Sequence, residues 1–165
     1  MSGRDRRAIF PGTFDPVTSG HLDLINRGLK IFSGVLVAVA RSDRKHTLFS
    51  LDERVSMVKG STASMSGVEV VGFEELLVDL ARKTDISVVM RGLRVFSDFE
   101  YELQMALMNR RLSKDLEAVF LMPSEQYTYL TSTLVKEIFA LGGDITGLVP
   151  KPVAKMLSLK LAGGG

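Results

Sequence analysis

Cysteine is absent from this chain and histidine nearly so, His21 and His46 being the only two. Those absences exclude a disulfide framework, a thiolate zinc site and a multi-histidine metal cage. Nowhere do about eighteen apolar residues run together, and the charged start Met1-Ser2-Gly3-Arg4-Asp5-Arg6-Arg7 contains no apolar stretch of signal-peptide type. The expectation is a protein that avoids membranes and works in a reducing cytoplasm. Charge of one sign is lacking too: 21 Lys+Arg against 19 Asp+Glu leave +2, too balanced for a general nucleic-acid binder despite a pI near 9.0. Familiar site signatures are also missing. There is no Gly-x-x-x-x-Gly-Lys-Ser/Thr loop, no Gly-x-Gly-x-x-Gly turn and no Gly-x-Ser-x-Gly elbow. With no histidine beside a candidate serine, covalent catalysis has little support.

What is present is a regular alternation. Apolar runs at Ala8-Ile9-Phe10, Val35 to Ala40, Val68 to Val71, Ile86 to Met90 and Ala118 to Met122 each precede a helical pattern. Ser50-x-x-Glu53 and Ser97-x-x-Glu100 have the capping-box form that starts a helix. Leu76, Leu77, Leu80 and Ala81 outline another helix, and Leu134, Val135, Ile138 and Phe139 one that Gly142-Gly143 ends. A last helix is expected from about Val153 to Leu161, after the break at Pro150-Lys151-Pro152. Continuous β-branched strands between helices predict an α/β, doubly wound (Rossmann-like) five-stranded parallel sheet with helices on both faces. At 165 residues the chain reads as a single domain, 1–165, with an ordered core over about 7–161. The methionines near Met105 and Met108 suit a core or a subunit contact, and core packing is the first expectation.

The most informative segment is Gly12-Thr13-Phe14-Asp15-Pro16-Val17-Thr18-Ser19-Gly20-His21. Pro11-Gly12 reads as the turn ending the first strand, and Leu22, Ile25, Leu29 and Phe32 recur at helical spacing just afterwards. His21 therefore stands at a helix start, where unpaired N–H groups and the helix dipole favour an anion and Gly20 allows close approach. Taken alone, such a histidine reads as a cap or a half-buried surface residue.

In a doubly wound sheet, ligands bind beyond the carboxyl ends of the strands. The segments there are Thr13 to His21, Arg41 to His46, Arg91-Gly92-Leu93-Arg94 and Ser124 to Thr133. Each has an ordinary explanation as a solvated turn or an N-cap; their coincidence on one edge points to phosphate binding. Lys45 offers a point charge, Arg91 and Arg94 offer paired hydrogen bonds, and Thr131-Ser132-Thr133 opens a helix as a second anion nest. Tyr127 could flank a base. Asp98, Glu100 and Glu102 are the acidic counterpart.

These residues resemble the nucleotidyltransferases that carry Thr/His-x-Gly-His after the first strand. Within that superfamily the chain is similar to the bacterial-type phosphopantetheine adenylyltransferases from about Arg7 to Leu161. Pro11 to His21 carries the likeness, with Leu51-Asp52-Glu53-Arg54, Val68 to Phe73, Arg91-Gly92-Leu93-Arg94, Asp98-Phe99-Glu100-Tyr101-Glu102, Met108-Asn109-Arg110 and Leu134-Val135-Lys136-Glu137. The resemblance implies an enzyme of coenzyme A biosynthesis that joins ATP and 4′-phosphopantetheine to give dephospho-coenzyme A and pyrophosphate, with Mg2+ accompanying ATP and no metal held by the protein. It also implies a cytoplasmic homohexamer built as a dimer of trimers, with coenzyme A as a feedback ligand.

By the same resemblance, His21, Thr13, Lys45 and Arg91 are the catalytic set. Thr13, Lys45, Leu77 and Arg91 bind the acceptor. ATP binding falls to Thr13, Phe14, His21, Gly92, Leu93, Arg94, Glu102, Tyr127, Thr128, Tyr129, Leu130, Thr131, Ser132 and Thr133. Thr131-Ser132-Thr133 departs from the three serines of many relatives, Tyr127 from a frequent tryptophan, and His46 from a frequent basic or small residue. Two rival functions remain at this point: another adenylyl- or cytidylyltransferase, acting on nicotinamide mononucleotide or a polyol phosphate, and a non-catalytic nucleotide-binding module.

Overall fold

Period-two alternation along the strands decides the layers. In the computed structural model, which describes residues 6–42, 46–94 and 99–162, β1 (Arg7–Gly12) sends Ala8 and Phe10 into one apolar cluster and Ile9 into another. In β2 (Gly34–Ala40), Val35, Val37 and Val39 join the first cluster and Leu36 and Ala38 the second. β4 (Val88–Gly92) divides Met90 from Val89 in the same way. Strands buried on both faces are the expected companions of parallel pairing.

With β3 (Val68–Phe73) and β5 (Glu117–Leu121), the strands form one parallel sheet in the order β3-β2-β1-β4-β5. The chain winds outward from β1 to β3, then returns to place β4 on the other side of β1. That reversal opens a crevice at the carboxyl ends of β1 and β4, the usual ligand position in such sheets. The expected doubly wound architecture is therefore what the chain adopts. One local expectation is overturned: Pro11 and Gly12 do not form a turn but continue β1, registered with Ala38 and Val39 of β2. Proline is tolerated because it stands near the end of β1, beyond the one pair registered with β4, Ile9 with Val89, where its missing N–H interrupts no ladder on that side. The loop thus begins at Thr13, one residue pair higher on the sheet edge.

Helices α1 (Ser19–Gly28), α2 (Leu51–Thr62), α5 (Ser132–Ala140) and α6 (Lys151–Ala162) contribute Leu24, Ile25, Met57, Val58, Val135, Val153 and Leu157 to the first cluster. α3 (Leu77–Thr84) covers the other face with Val78, Leu80 and Ala81. The capping box predicted at Ser50 forms, with the Ser50 hydroxyl accepting from Glu53 N and Glu53 accepting from Ser50 N. The one predicted at Ser97-Asp98 lies outside the described residues. α6 starts at Lys151 rather than Val153, because Pro152 falls in its first turn, where a missing N–H has no intrahelical role.

α4 (Phe99–Leu112) differs from expectation: none of its residues is buried. Met105 and Met108, expected in the core, are 40% and 49% exposed, with Phe99, Tyr101, Leu103, Leu107 and Leu112 also exposed on the same helix. Its apolar residues are spread around the helix rather than gathered on one stripe, so they cannot all face a single sheet.

Ile9 is fully buried in the strand beside the crevice and supports the thinner of the two faces. Ile9→Ala should lower the unfolding free energy by about 2–5 kcal/mol, as for other large-to-small core changes, measured by the urea midpoint at unchanged slope.

Candidate active site

Beyond the ends of β1 and β4 lies a cavity of about 450 Å³, and the segments predicted to meet there do so. Thr13, Phe14 and His21 come from the first loop and α1; His46 and Thr47 precede α2; Arg91, Gly92 and Arg94 follow β4; Tyr127, Leu130, Thr131, Ser132 and Thr133 come from the β5 side; Glu102 reaches in from α4. Lys45 lies outside the described residues. Leu93, Thr128 and Tyr129 do not line this cavity. The Leu93 N–H is paired with the Leu121 carbonyl, the Thr128 hydroxyl turns back to the Glu125 carbonyl, and Tyr129 is exposed. Leu77 lines a second, more apolar cavity of about 290 Å³ with Tyr101, Met105 and Ala106. The two cavities share Pro11, Gly12, Thr13, Arg91 and Glu102, so Thr13 and Arg91 stand at their junction.

His21 is built in by a capping box that the sequence carried unrecognised. Thr18 is the N-cap of α1; its hydroxyl accepts from the His21 N–H at 3.4 Å, and its own N–H donates to His21 Nδ1 at 3.0 Å. Thr-x-x-His here takes the place of Ser/Thr-x-x-Glu. Because a backbone N–H can only donate, Nδ1 must be the acceptor and the ring proton sits on Nε2. Burial, with the nearby charges of Arg94 and Arg91, holds the pKa at about 3. At neutral pH the group is therefore an uncharged Nε2–H donor. The expectation that helix-end N–H groups stand free for an anion needs correction: Ser19 N donates to the Leu148 carbonyl and His21 N to Thr18.

Phe14 explains the small residue before it. At φ 50 its ring folds back over Gly12, where a Cβ would sit 2.9 Å from the ring, and it packs edge-on against the imidazole at 4.9 Å. Gly92 serves a similar end, since a Cβ there would lie 2.3 Å from Leu24 Cδ1 and push β4 off α1.

The cations are held by oxygen atoms from the protein. Arg91 donates to both Glu102 carboxylate oxygens, at 2.8 and 2.6 Å, and to the Pro11 carbonyl at 2.7 Å. Arg94 reaches the Leu130 carbonyl at 3.1 Å. Lys136, in α5, contacts Asp15 at 2.8 Å and also lines the cavity. The Thr131 and Ser132 hydroxyls are committed as well: Thr131 accepts from Leu134 N as the cap of α5, and Ser132 donates to the Pro16 carbonyl. Asp23 accepts from Ser124 N and Oγ and from Arg27, anchoring the start of the Tyr127 loop to α1. Asp15, Arg54 and Lys136 stand in segments that carry the family likeness, but nothing in the sequence assigned them these partners, and Asp23 reads as an ordinary helix charge.

A doubly wound sheet whose ligand edge carries Thr-x-Gly-His and paired arginines defines a nucleotidyltransferase. A sequence profile of the cytidylyltransferase-like family matches residues 9–138. Over 152 residues the chain is 53% identical to the phosphopantetheine adenylyltransferase of Campylobacter hominis, a span covering 92% of this chain and 96% of that protein. The chain belongs to the phosphopantetheine adenylyltransferase family of nucleotidyltransferase enzymes.

The depressed His21 pKa has a consequence for stability. Between about 3 and 6.5 the unfolded chain binds a proton that the folded imidazole refuses, so stability falls as pH drops below 6.5. Urea unfolding between pH 6.5 and 5 should show this slope, at most about 1.4 kcal/mol per pH unit, and His21→Gln should flatten it.

Proposed function

We propose that this chain transfers the adenylyl group of ATP to the phosphate of 4′-phosphopantetheine, giving dephospho-coenzyme A and pyrophosphate. One observation carries the reading: a polar, cation-lined cavity and an apolar one join at Thr13 and Arg91. The first suits a nucleoside triphosphate. The second suits the uncharged arm of an acceptor whose phosphate lies at the junction.

The reaction is an in-line displacement at the α-phosphorus. An oxygen of the acceptor phosphate forms the new P–O bond as the bond to pyrophosphate breaks. A phosphate monoester has its second pKa near 6 and is largely ionised at neutral pH, so no general base is required. The protein has to place two anions and stabilise the charge that moves through the five-coordinate phosphorus. Thr13, Arg91 and Lys45 hold the acceptor phosphate. His21 donates its Nε2 proton in a hydrogen bond to an α-phosphoryl oxygen and keeps that proton throughout. Arg94, Thr133 and the α5 N-terminus take the departing phosphates, and Tyr127 with Leu130 flanks the base.

Magnesium fits this site as an ion carried by the triphosphate. No group of three potential ligand side chains occurs among the described residues, and the two nearest carboxylates, Glu102 and Asp15, are bonded to Arg91 and Lys136. Magnesium would supply charge neutralisation to the phosphate oxygens. Coenzyme A, which contains both halves of the product, would occupy both cavities as a feedback ligand. A cytoplasmic location accompanies this reading.

A hexameric assembly, dimer of trimers, is part of the proposal; the apolar residues exposed along α4 support burial against other copies. Light scattering should give about six chains per particle; a monomer at micromolar concentration would count against it.

Pyrophosphate release should require ATP and phosphopantetheine together, with dephospho-coenzyme A as the other product by mass spectrometry. Release with nicotinamide mononucleotide instead would move the reading to another transferase, and tight ATP binding with no acceptor to a non-catalytic module. His21→Ala should lower kcat by about 10²–10³, the scale of losing one transition-state donor, while the Kd for ATP changes little. Lys45→Ala should raise the KM for phosphopantetheine.

A further inference from the structure

Arg54 is 2% exposed, although the other charged residues of α2 are exposed, as Asp52 and Lys59 are, or half-exposed, as Glu53 is. It is fixed by main-chain carbonyls: Nε donates to Phe49 at 3.2 Å, and one terminal nitrogen donates to Thr13 at 2.6 Å and to Ala40 at 2.8 Å. No carboxylate lies within ion-pair distance of it among the described residues. Burying a guanidinium in this way costs desolvation that an apolar side chain would avoid, so the arrangement is more than a means of filling space.

The carbonyls it gathers come from the end of β2, the first loop and Phe49, two residues before α2. Phe49 is gripped on both sides, its carbonyl by Arg54 and its N–H by Asp15 at 3.0 Å. Asp15 is two residues beyond Thr13 and also accepts from Leu48 N at 2.9 Å. The bonds therefore close a ring, from Thr13 through Arg54 to Phe49 and back through Asp15. Of the cavity wall, that ring fixes Thr13 relative to Thr47 and His46.

We propose that Arg54 is a positioning residue for the acceptor half of the site, setting Thr13 and the wall before α2 at the spacing an acceptor phosphate needs. The proposal rests on the phosphopantetheine reading given above. Arg94 and Tyr127, which face ATP, are outside the ring; α5 meets it through the Lys136–Asp15 pair and the Ser132 bond to the Pro16 carbonyl, and none of these involves Arg54.

Arg54→Lys keeps the charge but loses the planar fork that reaches carbonyls in several directions at once; Arg54→Met keeps the bulk and loses both. ATP and phosphopantetheine are titrated separately into the full-length wild type and each variant, alongside pyrophosphate-release kinetics and urea unfolding. Arg54→Lys should weaken phosphopantetheine about tenfold and lower kcat about ten- to a hundredfold, the scale expected for a misplacement near 1 Å. Its Kd for ATP should stay within about twofold, as for independent regions. Arg54→Met should repeat the pattern more severely; if it does not fold, the lysine variant decides alone. Equal losses for both ligands, or a lower unfolding midpoint with unchanged kinetics, would overturn the proposal and leave Arg54 a stability residue. A wild type that takes up no phosphopantetheine overturns the functional reading and this one with it; a wild type and lysine variant that bind it equally overturn this one alone.

Discussion

Repulsion between two phosphate-bearing reactants is the constraint to which most of this structure answers. Two unit charges 4 Å apart repel by about 4 kcal/mol at the effective dielectric of a protein surface, and each reactant here brings more than one. Cations must therefore be present before either arrives, and must themselves be held without collapsing the cavity. The structure meets both demands by holding each cation with protein oxygens: Glu102 and the Pro11 carbonyl for Arg91, the Leu130 carbonyl for Arg94, Asp15 for Lys136. Such groups need little reorganisation when the anions bind, which is where electrostatic catalysis gains most.

The neutral state of His21 follows from the same crowding. An imidazole among guanidinium groups and apolar walls loses its proton long before pH 7, and Thr18 then dictates which nitrogen keeps the remaining one. A charged imidazole would attract the ground-state phosphates as well as the transition state. An uncharged donor aimed at one oxygen favours the geometry in which that oxygen carries more charge.

The fold was legible because each strand carries its own evidence. Val35 to Ala40 and Val68 to Val71 are β-branched runs at the right length, and their alternation with helical patterns permits few topologies. The miss at Pro11-Gly12 arose from treating proline and glycine as punctuation, where Gly12 in fact makes room for the Phe14 ring inside a continuing strand. Met105 and Met108 failed for a different reason: methionine suits a core and a covered surface equally well, and only coordinates place α4 outside the core. In the site, residues whose chemistry faces the cavity could be found from sequence, since His21, Arg91 and Arg94 are chemically conspicuous beside glycine. Those that act by holding main chain could not. Arg54 and Asp15 lie in segments that carry the family likeness, but their role is set by carbonyl and N–H partners, most of them distant in sequence, and main-chain partners leave no mark in the residue code.

α4 borders both the apolar cavity and an exposed apolar surface. Tyr101, Met105, Ala106 and Asn109 wall the apolar cavity, while Leu103, Leu107, Met108 and Leu112 on the same helix stand exposed. With no residue of its own in the core, this helix is held on the active-site side by the Arg91–Glu102 pair and by Phe99 packed on Phe120 of β5. Glu102 serves both regions: it holds Arg91 at the junction of the two cavities and ties α4 to the end of β4.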